Sequence, residues 1–157
     1  MGLESKDPYG NDEMVGDAAG QVGSLLEEIN HVGIAVEDLD EAIQDYRETF
    51  GVVVDHREVL ADDAVEVAVL RVGGSAVHLL GAAGEYSPVL EFVDTYGPGV
   101  HHIGYRVADC AAALAAVVAA GHEPIDDEPK PGPEGTTVAS VEPMTLHGVT
   151  VQFVQRP

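Results

Sequence analysis

The sequence predicts an α+β fold built from two βαβββ modules that lie side by side. The first observation is a repeat: NHVGIAVEDLDEAIQDYRETFG at 30–51 is matched in pattern by HHIGYRVADCAAALAAVVAAG at 101–121. Each copy has a histidine two residues before a glycine, then an aspartate and a helical run. The second observation is that three strand-like runs follow each copy. Because one four-stranded module leaves a sheet face uncovered, the two modules are expected to share a core.

The first module contains a strand, a helix and three further strands. In its opening strand, residues 29–36, the side chains alternate between the two faces. Asp38 is a suitable helix N-cap and Glu41 completes a capping box, so a helix is expected from there to Gly51. The remaining predicted elements are the strands Val52–Leu60, Ala64–Val72 and Ala76–Leu80, and a short helix that starts at Pro88 and ends near Tyr96.

The second module is expected to repeat this order after a Gly-Pro-Gly break at 97–99. Residues 1–27 lack a sustained period and are predicted to be a disordered leader with a short helix near Leu25–Glu28. The folded domain is then 28–157, with modules at about 29–97 and 98–157. The elements predicted for the second module are a strand at Val100–Val107, a helix at Asp109–Gly121, and strands at Glu123–Ile125, Thr136–Val141 and Val149–Val154.

Composition excludes several classes of partner. The net charge is −21 and the chain has only two lysines, so nucleic acid and anionic membrane surfaces are disfavoured. No apolar run approaches the roughly 20 residues of a membrane span, and the N-terminus lacks a secretory signal, which predicts a cytoplasmic protein. The single cysteine, Cys110, is expected to be a small packing residue. A polyanionic ligand would need a basic patch that this chain can scarcely supply.

Alternation places four side chains with lone pairs on one face of the sheet. His31 and His102 occupy equivalent positions on the first strands of the two modules, and His78 and Gln152 do so on the fourth strands. Imidazole nitrogen binds Zn, Fe, Ni, Co and Cu, and an amide oxygen can complete such a site. For any single histidine the alternative is a core residue with a hydrogen-bond partner, but the symmetry favours metal. His101 alternates to the helix side and is expected to be structural.

Six segments follow one another along the chain: HVGIAVEDLDEAIQDYRETFG, SAVHLLG, SPVLEF, GPGVHHIGYRV, DEPKPGPEGT and GVTVQFV. In order and spacing they resemble the methylmalonyl-CoA epimerases of the vicinal oxygen chelate (glyoxalase/bleomycin-resistance/dioxygenase) superfamily. The resemblance covers about Ile29–Val154. It implies a cup-shaped mixed sheet that holds one divalent metal ion (Co, Zn, Ni, Mn or Fe), a homodimer, and a small acyl or oxo substrate such as a CoA thioester.

Carried over position by position, the resemblance gives His31, His78, His102 and Gln152 as the metal ligands. His78 stands where relatives have a glutamine or a glutamate, and Gln152 stands where the epimerases have a glutamate. That glutamate is also a proposed base, and an amide cannot take up a proton. The site is therefore expected to differ from that of an epimerase at this position.

Two candidate catalytic residues lie near this site in the sequence. Epimerisation needs a base on one face of the substrate and an acid on the other. The second family acid aligns onto Val67, but a one-residue slip of the strand would bring the neighbouring Glu66 inward. Arg106, two residues past Gly104 on the ligand face, is a candidate for binding a substrate carboxylate.

Three functions fit these residues: an epimerase, another metalloenzyme of the superfamily (a lyase, isomerase or oxygenase), and a protein that binds a small molecule without turnover. Basic residues at the mouth of the cup would favour the first, oxygen consumption with bound iron the second, and stoichiometric binding without product the third. Glu142, Pro143 and Met144 replace a His-Pro-Lys of relatives, which weakens the case for a CoA thioester. The connection Pro131–Gly135 fits either a mobile lid or an ordinary turn.

Overall fold

The computed structural model describes residues 24–157, which form one curled sheet of eight strands with three α-helices. The strands are β1 (Glu28–Ala35), β2 (Val54–Leu60), β3 (Val65–Val72), β4 (Ser75–Ala82), β5 (Gly99–Arg106), β6 (Lys130–Pro131), β7 (Thr137–Val141) and β8 (Thr150–Gln155). The helices are α1 (Leu39–Phe50), α2 (Pro88–Tyr96) and α3 (Cys110–Ala119). Short 3-10 turns lie at Ala61–Asp63, Pro133–Gly135 and Pro143–Thr145.

The strand order is β2-β3-β4-β1-β5-β8-β7-β6, so each module supplies four adjacent strands. Within the modules β1 pairs with β4, and β5 with β8, in parallel. The antiparallel pairing of β1 with β5 joins the two modules at the centre of the sheet. The predicted α+β class is confirmed, including the mixed sheet and the paired βαβββ order.

Capping side chains start the helices where the sequence predicted. Asp38 accepts a hydrogen bond from the Glu41 backbone N–H at 3.0 Å, and Asp109 does the same for Ala112 at the start of α3. Gly51 ends α1 in the left-handed region, with φ of 71°. Helix α3 ends at Ala119, two residues before the predicted boundary at Gly121.

Two helices cover the outer face of the sheet, as the apolar positions of the strands predicted. Leu39 and Ile43 of α1 pack on Leu70 and Leu79. In the second module, buried residues of α3 and of the strands beneath it form an equivalent cluster, which includes Cys110, Leu114, Val141 and Phe153. The inner face of the first module is different, because α2 covers part of it: Val89 and Val93 join Val67, Val69 and Leu80 there.

Two predicted elements of the chain are not formed. The strand predicted at Glu123–Ile125 is reduced to one bridge between Pro124 and Val141, since proline cannot donate to a strand ladder. The extra strand of the second module is instead Lys130–Pro131. The helix predicted near Leu25–Glu28 is replaced by the start of β1: the backbone N–H of Glu27 donates to the Arg106 carbonyl at 2.9 Å. The rest of the predicted leader, residues 1–23, lies outside the described residues.

Polar contacts join the two ends of the curled sheet. Lys130 of β6 lies 2.9 Å from Asp63, and Glu134 accepts from the Arg71 guanidinium at 2.6 Å. The Glu134 backbone N–H donates to Glu58 of β2 at 2.7 Å, and Glu134 adopts a left-handed backbone conformation with φ of 58°. The Pro133–Gly135 turn is therefore connected to the first module by side-chain and backbone hydrogen bonds.

None of the helices in residues 24–157 is long and apolar enough to cross a membrane.

We expect Cys110 to be unreactive in the folded protein. Its side chain is fully buried, and burial together with nearby Asp109 and Asp126 raises the pKa of its thiol to about 11. At pH 7.5 the thiolate fraction is then roughly 300-fold below that of a free cysteine with a pKa near 8.5. Alkylation by iodoacetamide, followed by mass spectrometry, should be at least that much slower in buffer than in urea. Equal rates in the two conditions would contradict this burial.

Candidate metal centre and cavity

The two strands at the module boundary place His31 and His102 face to face. In the β1–β5 register, His31 pairs with Gly104 and Gly33 pairs with His102, so each ring lies over the glycine of the other strand. A Cβ atom on Gly104 would stand 2.2 Å from Cε1 of His31, and one on Gly33 would stand 2.3 Å from Cε1 of His102. The repeated His-X-Gly pattern of the sequence is therefore a packing requirement of the paired rings.

The four residues that alternation placed on one face come together in the structure. The Nε2 atoms of His31 and His102 are 2.8 Å apart. The His78 ring stacks on His31, with centroids 3.7 Å apart and planes 9° apart. Gln152 lies beside the His31 side chain, and its amide nitrogen is 3.5 Å from the Ser140 hydroxyl. The structure thus places His31, His78, His102 and Gln152 in one cluster.

Burial keeps the three imidazoles of the cluster neutral. His31, His78 and His102 are only 2%, 7% and 6% exposed. Loss of hydration, and then the charge of neighbouring rings, lowers the pKa of His31 and of His78 to about 3 and that of His102 well below its ordinary value. Near neutral pH each ring therefore carries a lone pair, which is the form in which histidine binds metal.

The donor chemistry of this cluster fits a divalent transition metal. Three neutral imidazoles and an amide oxygen are donors that such an ion takes, and the Nε2 atoms of His31 and His102 lie 2.8 Å apart. Within residues 24–157, no three His, Cys, Asp or Glu side chains gather their donor atoms around one point as placed. The His78 ring stacks flat on His31, and the Nε2 atoms of His31 and His102 face each other.

A cavity of about 300 Å³ opens beside this cluster. Its apolar side carries residues of the first module, including Leu60, Val65, Val67, Leu80 and Val89. Its polar side carries His78, His101, His102, Ser140, Thr150 and Gln152. Among the described residues, Asp63 and Asp126 are the only carboxylates in the lining, and both contact Lys130, at 2.9 and 3.1 Å. The cavity is thus mainly apolar, with a cluster of neutral imidazoles and an amide at one side.

Glu66 does not reach this cavity, which corrects the expectation of a strand slip. In the β3–β4 register Val67 pairs with Leu80, and both side chains line the cavity. Glu66 therefore points to the outer face, where Arg57 binds it at 3.0 Å and also binds Asp40 of α1 at 2.8 Å. The slip would bury this carboxylate and expose Val67, a reversal that the hydrophobic core opposes.

Arg106 is also outside the cavity lining, contrary to the role considered for it. Its guanidinium binds Glu27 at 2.7 Å and Glu28 at 2.9 Å, and Arg156 binds Glu28 as well at 3.2 Å. Because its charge is satisfied by carboxylates at the start of β1, it is not available to bind a substrate carboxylate in the cup. The sequence did not reveal these partners, one of which, Glu27, was assigned to a disordered leader.

His101 is the site residue that alternation missed. Val100 pairs with Ile34 and His102 pairs with Gly33, which leaves His101 as the extra residue of a β-bulge. The bulge turns His101 into the cavity next to His102, with their Nδ1 atoms 2.9 Å apart. Its ring also stands edge-on to Phe92 of α2, with centroids 5.0 Å apart. The His-His pair at the position of the Asn-His pair in the first module was the available signal.

Fold and cluster together define the class of protein. The model of the Glyoxalase/Bleomycin resistance protein/Dioxygenase superfamily matches residues 30–139, and the chain belongs to this superfamily. Its relatives include epimerases, which are isomerases. The ethylmalonyl-CoA/methylmalonyl-CoA epimerase of Cereibacter sphaeroides is 34% identical over 133 residues, which cover 83% of this chain and 99% of that protein. The mitochondrial methylmalonyl-CoA epimerase of Homo sapiens is 30% identical over 83% of this chain and 74% of its own length.

Solved structures give the same family. The methylmalonyl-CoA epimerase of Mycobacterium tuberculosis superposes with a TM-score of 0.80 at 29% identity, over 85% of this chain and 91% of that one. A Streptomyces coelicolor methylmalonyl-CoA epimerase variant in complex with 2-nitronate-propionyl-CoA gives 0.77 at 34% identity, over 83% and 97%. The predicted resemblance to these epimerases is confirmed.

Proposed function

We propose that this chain is a metal-dependent enzyme of the superfamily, related to the epimerases, with His31, His78, His102 and Gln152 as its metal ligands. The observation that carries the proposal is the buried contact of His31 with His102 across the module boundary, beside His78 and Gln152. Superfamily members are in general dependent on a divalent metal. A bound divalent ion would act as a Lewis acid and polarise a carbonyl oxygen of the substrate.

The residues around this centre suit it to exclude water but offer little for proton transfer. Val65, Val67 and Leu80 form an apolar wall that excludes water and accommodates an alkyl group beside the reacting carbonyl. Gln152 offers an amide oxygen but takes up no proton. The cavity carboxylates Asp63 and Asp126 are both held by Lys130. Proton transfer at a substrate carbon therefore has no unpaired carboxylate within the described lining, and we expect chemistry that departs from methylmalonyl-CoA epimerisation.

The proposed substrate is a small acyl or oxo compound. Relatives crystallised with methylmalonyl-CoA and with 2-nitronate-propionyl-CoA support a CoA thioester as one form of it. The proposal also keeps the homodimer and the cytoplasmic location expected from the sequence. A second candidate is a binding protein that holds such a molecule in the same cup without turnover, and the absence of an unpaired carboxylate in the described lining favours it.

The test measures exchange of the substrate α-proton with deuterated water, using methylmalonyl-CoA, metal-loaded protein and NMR. We expect slow exchange in the wild type. The Gln152→Glu variant returns a carboxylate to the cavity and should speed exchange by roughly 10²–10⁴-fold, the usual contribution of a general base. Glu66→Gln is the matched control, since it makes the reverse change on the outer face of the sheet, away from the cavity, and should leave exchange unaltered.

Several outcomes separate the candidates. Fast exchange in the wild type that Glu66→Gln abolishes would contradict the outward placement of Glu66 and support an epimerase with a relocated base. Wild-type protein that elutes without metal after expression in metal-supplemented medium, and binds none on titration, would contradict the metal centre. Stoichiometric ligand binding without product would favour the binding protein.

A further inference from the structure

Two β-bulges lie at equivalent places on either side of the His31–His102 contact. In β5 the extra residue is His101, just before His102. In β1 it is Asn30, just before His31, because Ile29 pairs with Tyr105 and His31 pairs with Gly104. A bulge re-aims the extra side chain out of strict alternation. Each module therefore brings the side chain that precedes its central histidine next to that histidine's ring.

Both of these side chains contact the ring nitrogen that faces away from the other histidine. Asn30 Oδ1 is 2.9 Å from Nδ1 of His31, and Nδ1 of His101 is 2.9 Å from Nδ1 of His102. The two Nε2 atoms are left facing each other at 2.8 Å. The four side chains thus form one hydrogen-bonded chain, Asn30–His31–His102–His101, in which at least one ring nitrogen takes part in each contact.

Proton positions in this chain follow from the chemistry of neutral imidazole, which has one N–H and one lone pair. For both Nε2 atoms to offer lone pairs to a cation, His31 and His102 must each hold their proton on Nδ1. His31 then donates to Asn30 Oδ1, and His102 donates to Nδ1 of His101, whose own proton is on Nε2. Without a cation, the 2.8 Å contact requires one N–H between the Nε2 atoms, and because His31 donates from Nδ1 to Asn30 Oδ1, that proton is on His102. His102 then accepts from Nδ1–H of His101, so His102 and His101 must both change tautomer when the cation enters.

We infer that His101 and Asn30 are positioning residues of the metal centre: each accepts the Nδ1–H of one ligand histidine and thereby turns its Nε2 lone pair toward the ion. The inference rests on the proposed metal site. Outer partners of this kind fix the tautomer and orientation of metal-bound histidines generally. His101 adds a second property, since its Nε2–H then becomes a hydrogen-bond donor within the cavity lining, available to an oxygen of a bound molecule.

The experiment compares wild type with His101→Phe, which keeps a planar ring against Phe92 but removes both nitrogens. Zn²⁺ affinity is measured by competition with a chromophoric chelator, and the histidine tautomers are followed by long-range ¹H–¹⁵N NMR with and without Zn²⁺. We expect His101→Phe to weaken Zn²⁺ binding by roughly 10–100-fold. His101→Gln, whose amide oxygen can accept the His102 proton, should recover most of the loss. His122→Phe is the control, since it removes an imidazole that is not in the cavity lining.

The NMR signals report the tautomers of the histidines, which would not change if His101 had only a structural role. In wild type loaded with Zn²⁺, His102 should be protonated on Nδ1 and His101 on Nε2. Zn²⁺ affinity of His101→Phe within about twofold of wild type, or a His102 signal that the variant leaves unchanged, would overturn the inference. Wild-type protein that binds no Zn²⁺ would instead overturn the proposed metal site, and the two failures are thereby distinguished.

Discussion

Replacing Gly33 or Gly104 by alanine is expected to destabilise the protein and abolish the proposed metal binding. The added Cβ would lie 2.3 Å from the His102 ring or 2.2 Å from the His31 ring, well inside contact distance. Both rings are buried and packed against each other, so neither can simply move aside. Overpacking of this kind typically costs about 1–3 kcal/mol, and the melting temperature should fall by roughly 2–12 °C.

Gly99→Ala is the matched control for these two variants. Gly99 lies in the same strand, β5, and a Cβ there would meet nothing within 4 Å. Differential scanning calorimetry and elemental analysis should therefore find Gly99→Ala close to wild type. A Gly33→Ala or Gly104→Ala protein with wild-type melting temperature and metal content would show that the histidine rings do not occupy these positions.

Replacing His31, His78 or His102 by alanine is expected to cause the largest loss of bound metal. Removing one of the four proposed ligands would lower the affinity and also the geometric definition of the site, so the effect should exceed the roughly 10–100-fold of an outer partner. In the wild type, added Zn²⁺ should raise the melting temperature, because the ion binds only the folded state, and this increase should disappear in the three variants. Elemental analysis of dialysed protein provides the second measurement.

His122→Ala serves as the control for these variants, since this histidine does not line the cavity. His102→Ala should also leave Nε2 of His31 without its present partner, at a cost of about 1–3 kcal/mol in the metal-free protein. Full metal content in all three alanine variants would show that the ion is bound elsewhere or not at all.

The sequence by itself was sufficient for most elements of the fold and for the face on which the cluster lies. Asp38 and Gly51 delimit a helix through purely local hydrogen bonds and dihedral angles, so its boundaries were predictable. Strand alternation likewise placed His78 opposite Leu79, and the structure has Leu79 under α1 and His78 in the cavity. These features depend on neighbours in the chain, the repeat predicted the pairing of the modules, and the superfamily resemblance added the cup shape of the sheet.

Contacts between distant segments were decided by the tertiary structure alone. Arg106 lies beside Glu27 and Glu28 because β1 and β5 pair in antiparallel, and no local pattern indicates that these charges neutralise each other. Glu66 faces Arg57 for a similar reason, since the register of β3 is fixed by the burial of Val67. Both candidate catalytic residues were therefore placed near the cavity by strand patterns alone. Their ion-pair partners, which these patterns do not indicate, hold both side chains outside the cavity.

The positions of Asn30 and His101 are the clearest example of a feature that only the tertiary structure decides. Alternation is a property of one regular strand, and it sends the residue before each central histidine to the opposite face. A β-bulge is instead a property of two paired strands, because it appears only where their registers differ by one residue. The sequence of β1 or β5 alone contains no such difference. It exists only once His31 packs on Gly104 and His102 packs on Gly33, which requires the two modules to meet.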